Sequence, residues 1–251
     1  MKTMCITGAT AGFGEACARL FAALGWKLIC VGRREERLEV LARDLAPASV
    51  HTAVLDVRRR EDVDRVLGDL PEDFREVDVL LNNAGLALGL ERAQEGNPDE
   101  WEVMVDTNVK GVLHCIHALL PGMVARGRGH IVNMGSIAGC HPYLMGNVYG
   151  ATKAFVQQLT MNLKADLVGT NVRVTNIEPG MAETEFSLVR FRGDAERAAK
   201  VYDVTRALTA EDIAECVRWV VDLPEHVNIA RLQVWPTDQG FGSFTIHRRE
   251  G

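Results

Sequence analysis

A phenol and an ammonium stand four residues apart in Tyr149-Gly-Ala-Thr-Lys153, and a serine hydroxyl, Ser136, lies thirteen positions before the tyrosine. On a helix that spacing puts Tyr149 and Lys153 on one face, a turn apart. A free phenol has a pKa of about 10 and is a poor base at neutral pH. A neighbouring ammonium stabilises the phenolate and lowers that value, and a serine hydroxyl close to both could hold a substrate oxygen. Together the three groups form a proton-transfer device for the C–OH/C=O couple. The Tyr-x-x-x-Lys spacing by itself recurs on the surfaces of many helices, so it gains weight only from a second motif in the same chain.

That motif lies near the first residue. Met4-Cys5-Ile6-Thr7 reads as a short buried strand that runs into Gly8-Ala9-Thr10-Ala11-Gly12-Phe13-Gly14 and then into a helical segment, Glu15 to Leu24. Strand, glycine turn and helix is the arrangement in which backbone N–H groups and a helix N-terminus receive a pyrophosphate. Gly8 permits the turn, Gly12 lets the backbone approach the phosphates, and Gly14 lets the helix pack closely. Thr10 and Phe13, inside the turn, are counted with the cofactor-binding residues.

Other strand ends carry matching chemistry. Val31-Gly32-Arg33-Arg34 falls where an NAD-binding chain offers a carboxylate to the ribose 2′-hydroxyl. Here two guanidiniums stand instead, and a guanidinium suits a 2′-phosphate, so the expected cofactor is NADP, with Arg33 the stronger of the two candidates. Asp56-Val57 ends another strand, where Asp56 could accept from an adenine amino group or cap the next helix. Asn82-Asn83-Ala84-Gly85 offers small residues against which a ligand can lie, and amides that can bond the backbone or a ribose. Asn108, among Val105, Val109 and Val112, could stabilise a kink or hold a water in a proton relay. Residues His141 to Met145, including Tyr143, are expected to line a substrate cleft together with Trp235.

Those residues must be held by elements, and the chain supplies them in alternation. Short runs rich in Val, Ile and Leu at Leu28–Val31, Val50–Leu55, Val79–Asn82, His130–Met134, Arg173–Ile177 and Leu232–Trp235 lack strict polar alternation, as strands buried on both faces do. Amphipathic segments near Glu36–Leu45, Glu61–Leu70, Pro98–Arg126, Tyr149–Leu167 and Ala210–Leu223 separate them. The pattern predicts an α/β fold, a doubly wound, seven-stranded parallel sheet with helices on both faces. With 251 residues and no linker or repeat, a single domain spanning 1–251 is expected. The polar stretch from Glu183 to Arg206 breaks the rhythm and reads as a substrate-covering excursion.

The bulk composition narrows the classes. A net charge of −6 argues against nucleic-acid binding. No run approaches the length needed to span a bilayer, and no leader precedes the first strand, so a cytoplasmic protein without membrane contact is expected. The six cysteines form no Cys-x-x-Cys pair and read as buried thiols of a reducing compartment. His114 and His117 share a helix face without further ligands, so no metal site is expected.

Assembled, Thr7-Gly8-x-x-x-Gly12-x-Gly14, Asp56-Val57, Asn82-Asn83-Ala84-Gly85, Asn108, Ser136, Tyr149-x-x-x-Lys153 and Pro179-Gly180 with Thr184 resemble the short-chain dehydrogenase/reductase family over roughly residues 3 to 240. The resemblance implies that Tyr149 is the acid/base, that Lys153 lowers its pKa and holds the nicotinamide ribose, that Ser136 binds the reacting oxygen, and that Asn108 supports a proton relay. It adds Pro179, Gly180 and Thr184 to the cofactor contacts. The stretches Gly32-Arg33-Arg34-x-Glu36-Arg37-Leu38, Gly85–Gly89, Gly146–Phe155 and Thr184–Phe191 resemble the NADP-dependent 3-hydroxy acid dehydrogenases, a subgroup similar to serine and allo-threonine dehydrogenases and malonic semialdehyde reductases. The stretch after Pro179-Gly180 is one residue shorter than the subgroup's usual pattern.

The expected function is therefore NADP-dependent interconversion of a small 3-hydroxy acid and its oxo acid or semialdehyde, with reduction of neutral ketones or aldehydes as the alternative. A substrate carboxylate needs a cation or strong donors, and Arg190 in the covering segment is the candidate, beside Ser136 and Tyr143. The resemblance further implies that the helices carrying Asn108 and Tyr149 pack against another subunit in a dimer or tetramer, with a homotetramer as the expected assembly. The C-terminal segment Phe241–His247 could close a neighbour's active site.

Overall fold

A computed structural model of the chain describes residues 1–202 and 206–241. The core of the fold is a seven-stranded sheet in which every pairing is parallel, in the order β3-β2-β1-β4-β5-β6-β7. The strands are β1 (Thr3–Thr7), β2 (Lys27–Gly32), β3 (Val50–Val54), β4 (Val79–Asn82), β5 (Gly129–Met134), β6 (Val172–Pro179) and β7 (Arg231–Val234). The helices are α1 (Gly12–Ala23), α2 (Glu35–Asp44), α3 (Arg60–Gly68), α4 (Pro98–Val105), α5 (Gly111–Arg126), α6 (Asn147–Asp166), α7 (Glu185–Arg190), α8 (Ala195–Lys200) and α9 (Ala210–Asp222). The doubly wound sheet expected from the sequence is thus present.

The absence of polar alternation in the strands has a direct structural cause. Successive side chains of a strand point to opposite faces, and both faces are covered. Met4, Ile6, Leu28 and Cys30 pack on one side with Phe21 of α1, Leu38 of α2 and Val217 of α9. Cys5, Ile29 and Val31 pack on the other with Val63 of α3, Ile116 of α5 and Val156 of α6. Local signals fix the ends of the helices. Asn97 caps α4 through its side-chain oxygen, with Pro98 following, a pairing that suits a helix start. Thr209 and Asp212 form a reciprocal capping box on α9, and Gly127 ends α5 in the left-handed region at φ 61°, as helix-terminating glycines do.

One element departs from the sequence expectation. The helical region read as continuous from Pro98 to Arg126 contains a π-helical turn over Asp106–Lys110 between α4 and α5. Single π turns inside α-helices often occur at functional sites, and this one carries Asn108. Strand β1 pairs with β2 on one side and β4 on the other, so the chain reverses its winding direction there. A crevice outside the carboxyl ends of the strands opens at such a switch point.

Candidate active site

The crevice is a cleft of about 560 Å³ above the strand ends. It is lined by Gly8, Thr10, Gly12, Phe13, Arg33, Arg34, Asp56, Val57, Asn83, Ala84 and Gly85, and also by Ser136, Tyr143, Tyr149, Lys153, Pro179, Gly180, Thr184 and Arg190. Residues scattered over most of the sequence therefore meet in one place. Of the predicted site residues, Gly14 and Asn108 lie behind its wall, and of the stretch His141 to Met145 expected along the cleft, Leu144 and Met145 do not line it.

The glycine turn is built for close approach. Gly8 and Gly12 have φ of 68° and 52°, a region that side chains disfavour. A Cβ on Gly14 would collide with the Gly8 carbonyl oxygen and with Asn83. Ala11, at the N-cap of α1, offers no side-chain cap, so the first-turn N–H groups stay open to an anion. Asn83 spends its amide on the turn itself: its Nδ2 donates to the Thr7 and Gly8 carbonyls at 3.0 and 3.1 Å. Thr7 Oγ1 accepts from the Asn83 and Ala84 N–H groups, each at 3.0 Å. Of the two partners open to the Asn amides, Asn83 takes the backbone. Thr7 emerges as a positioning residue whose importance a lone threonine in a strand does not advertise.

At the far end of the cleft, a 3₁₀ turn at Ile137–Gly139 and α6 bring the proton-transfer groups together. Ser136 lies within hydrogen-bonding reach of the Tyr149 phenol, and its Oγ accepts from the Ala138 N–H at 3.1 Å. Lys153 Nζ donates to the Met134 carbonyl at 2.8 Å and sits 5.8 Å from the centre of the Tyr149 ring. Burial pushes the lysine down to about 8. Burial likewise pushes the phenol above its ordinary range, while the Ser136 hydrogen bond and the Arg190 charge pull it back. In the protein alone, desolvation of the phenolate outweighs the Ser136 hydrogen bond and the Arg190 charge, so burial favours the neutral phenol.

Asn108 holds the cleft wall rather than facing the cleft. Its amide exchanges two hydrogen bonds with Leu86, Oδ1 accepting from N–H at 2.9 Å and Nδ2 donating to the carbonyl at 2.8 Å, and Nδ2 also donates to Thr152 Oγ1 at 3.0 Å. The π turn thereby fixes both the chain after Gly85 and the helix of Tyr149. A Cβ on Gly85 would lie 3.3 Å from Asn108 Oδ1 and 3.5 Å from Lys153 Nζ, so a side chain here would crowd the asparagine amide.

Both ends of the cleft carry guanidiniums, with different partners. Arg33 makes no hydrogen bond or ion pair among the described residues and acts on Asp56 only through its field. Arg34 Nη2 donates to Thr10 Oγ1 at 3.0 Å, and Nη1 reaches Glu185 at 3.4 Å. A carboxylate thus does approach this basic pair, from a helix about 150 positions away in sequence, and nothing in the local sequence announces it. Asp56 is occupied by Arg58, which bonds both carboxylate oxygens at 3.0 Å through Nε and donates its own N–H at 3.1 Å. Burial acts to raise Asp56, and these bonds and the Arg58 charge outweigh it. At the opposite end Arg190 Nη2 donates to the Tyr143 hydroxyl at 3.0 Å, and its guanidinium carbon lies 5.9 Å from the Tyr149 ring centre. Phe186 packs at 5.5 Å on the same ring, and His141 packs against Trp235 at 5.2 Å along the cleft wall.

A dinucleotide fits these residues. The side-chain-free turn and open helix start suit the pyrophosphate, Arg33 and Arg34 suit a phosphate on the adenosine ribose, and Ser136, Tyr149 and Lys153 stand where the reactive ring would end. No group of three or more His, Cys, Asp and Glu side chains able to hold a metal occurs among the described residues. Likewise, none of their helices is long and apolar enough to cross a membrane. Of the segment Phe241–His247, residues 242–247 lie outside the described part of the chain, as do 203–205 of the covering segment.

Comparison with known proteins agrees with this geometry. An NADP-dependent 3-hydroxy acid dehydrogenase of Salmonella typhi is 55% identical over 244 residues, 97% of this chain and 98% of that protein. Sulfoacetaldehyde reductase 2 of Chromohalobacter salexigens is 54% identical over 245 residues, 97% of each chain. A closed form of serine dehydrogenase complexed with NADP+ superposes with a TM-score of 0.95 at 51% identity, covering 98% of this chain and 100% of that one. The short chain dehydrogenase family model matches residues 2–193. With its glycine turn, its Ser136–Tyr149–Lys153 group and its parallel sheet in place, the chain belongs to the short-chain dehydrogenase/reductase family.

Proposed function

We propose that the protein is an NADP-dependent oxidoreductase that interconverts a small 3-hydroxy acid, of the serine, allo-threonine or 3-hydroxypropionate type, with its 3-oxo acid or semialdehyde. The observation that carries this reading is the position of Arg190, whose guanidinium sits 5.9 Å from the Tyr149 ring centre and is steadied by Tyr143. A cation there can hold an anionic group two carbons from the reacting hydroxyl by charge-assisted hydrogen bonds. The names of the Salmonella relative and of the serine dehydrogenase support the same class, and both names support NADP as the cofactor, as do Arg33 and Arg34 at the strand end.

NADP, when bound, supplies or accepts the hydride. The protein's part is orientation and proton movement. Ser136 holds the reacting oxygen. Tyr149 gives that oxygen a proton in reduction and takes it back in oxidation. Lys153 favours the phenolate as it forms, and Asn108 keeps the wall and α6 in register. Burial favours the neutral phenol, the form that donates a proton in reduction, whereas oxidation needs the phenolate.

The sulfoacetaldehyde reductase relative favours a second reading within the same chemistry. A sulfonate is also an anion two carbons from the hydroxyl, and Arg190 would serve either. Nicotinamide absorbance with purified protein separates these readings. We expect turnover of serine, allo-threonine or 3-hydroxypropionate with NADP and much less with NAD. Turnover confined to 2-hydroxyethanesulfonate would replace the carboxylate by the sulfonate. Turnover confined to neutral alcohols would remove the anion site altogether. We further read the chain as one catalytic domain of a cytoplasmic homotetramer, with residues 183–206 covering the substrate; sedimentation of the purified protein tests the assembly.

A further inference from the structure

Helix α7 carries two of the groups that face Tyr149, Phe186 and Arg190, and it is fastened at both ends. Its C-terminal end is tied to the segment before α4 and to α4 itself. Arg190 Nε donates to the Gly89 carbonyl at 3.1 Å, the Gly89 N–H donates back at 3.2 Å, and Arg192 pairs with Glu100 at 2.6 Å. Its N-terminal end is tied to α2, on the other wall of the cleft. Arg37 Nη1 donates to both oxygens of Glu185, at 2.8 and 2.9 Å. Arg34 Nη1 lies 3.4 Å from the same carboxylate, and Arg34 Nη2 donates to Thr10 in the glycine turn. The start of α7 also rests on that turn, since a Cβ on Gly12 would meet the Thr184 side chain at 3.4 Å.

We propose that Arg37 and Glu185 are positioning residues that clamp α7 across the cleft, so that the basic end of the cofactor site determines where Arg190 and Phe186 stand over Tyr149. This rests on the reading of the cleft as an NADP and hydroxy-anion site. The arginines divide the work. Arg33 is free of hydrogen bonds and ion pairs among the described residues and lines the cleft, so it can take a 2′-phosphate. Arg37 does not line the cleft and keeps Glu185. Arg34 is shared, and a phosphate drawn to it competes with the carboxylate only there. The clamp therefore persists when the cofactor binds, and the carboxylate acts against 2′-phosphate affinity while it favours substrate capture.

That opposition gives the test. Glu185→Gln should raise KM for a hydroxy acid by about two- to fivefold, the range expected for an ion pair this exposed, while the Kd for NADP stays the same or falls. A general loosening of the site would weaken both. Arg37→Ala should reproduce the rise in KM, and the double variant should be no worse than either single one, because both remove the same interaction. Raising the salt concentration should raise KM in both proteins, because it screens the attraction of Arg190 for an anionic substrate, and by a larger factor in the wild type, where it weakens the Arg37–Glu185 pair as well. An unchanged KM, additive effects of the two substitutions, or a parallel loss of NADP affinity would overturn the clamp. Hydrogen exchange of residues 185–190 in the cofactor-free protein checks it without any substrate. Faster exchange is expected in both single variants, and exchange equal to wild type would refute the proposal. A wild type that turns over none of the acids, with faster exchange in the variants, would instead refute the functional reading and leave the clamp standing.

Discussion

Tyr149 is held between opposing influences. Burial raises its pKa, while Ser136 and Arg190 lower it; Lys153, itself pushed down to about 8 by burial, donates to the Met134 carbonyl. Oxidation should therefore accelerate as pH rises above neutral, since it needs the phenolate, while reduction should depend far less on pH over the same range. Initial rates in both directions between pH 6 and pH 10 check this, and an oxidation rate that falls with rising pH below about 8 would contradict it. Tyr149→Phe should lower turnover by about 10²- to 10⁴-fold with little change in cofactor affinity, as read by turnover and by NADP titration. At this scale the sequence was most legible where a residue's chemistry and its partner lie on one helix, as Tyr149 and Lys153 do. It was least legible for Thr7 and Glu185. Their roles depend on contacts across 76 and 148 positions, and a lone threonine or a glutamate at a helix start has an ordinary explanation at hand.

Among the elements, the π turn at Asp106–Lys110 is the most instructive. The apolar spacing of Pro98–Arg126 is compatible with one long helix, because a π turn adds a residue without changing composition. What hinted at the interruption was Asn108, a polar side chain amid valines. Its amide replaces backbone partners for Leu86 and holds Thr152 of α6. Asn108→Ala would leave those buried groups unmet, at a cost of about 1–3 kcal/mol. The expected result is a lower denaturation midpoint in urea together with reduced turnover; an unchanged midpoint would mean that water or another side chain takes over the role. Strand positions were legible because two buried faces demand continuous apolar runs. The covering segment was legible only as a break in rhythm, since a polar stretch specifies neither the placement of α7 nor what its residues touch.

The whole molecule is a parallel sheet with two separate apolar layers, and its buried titratable groups set the range of pH in which it is stable. Cys17, Cys30 and Cys115 are each pushed up to about 12 by burial. The unfolded chain releases these protons from about pH 8.5, so the stability they contribute is complete below that value and is lost as pH rises toward 12. His130 is pushed down to about 3 by burial, with the Arg173 charge adding to it. The stability linked to its neutral form is complete above about pH 6.5 and is lost as pH falls toward 3. Thermal unfolding should therefore show a plateau between roughly pH 6.5 and 8.5. Replacing Cys17 or Cys115 by Ala should make the alkaline decline shallower, and a decline equally steep in those variants would assign it to other groups. The order of the strands was not readable from their hydrophobic pattern, which fixes burial but not neighbours.

The most direct measurement is the NADP-linked oxidation of 3-hydroxypropionate and of its neutral methyl ester, compared in the wild type and in Arg190→Ala. The wild type should prefer the acid, and Arg190→Ala should lose about 10- to 100-fold in kcat/KM for the acid while its rate on the ester barely changes, so that the preference collapses. Equal loss on both compounds, or a wild type indifferent to the carboxylate, would contradict the claim that Arg190 holds an anionic substrate over Tyr149.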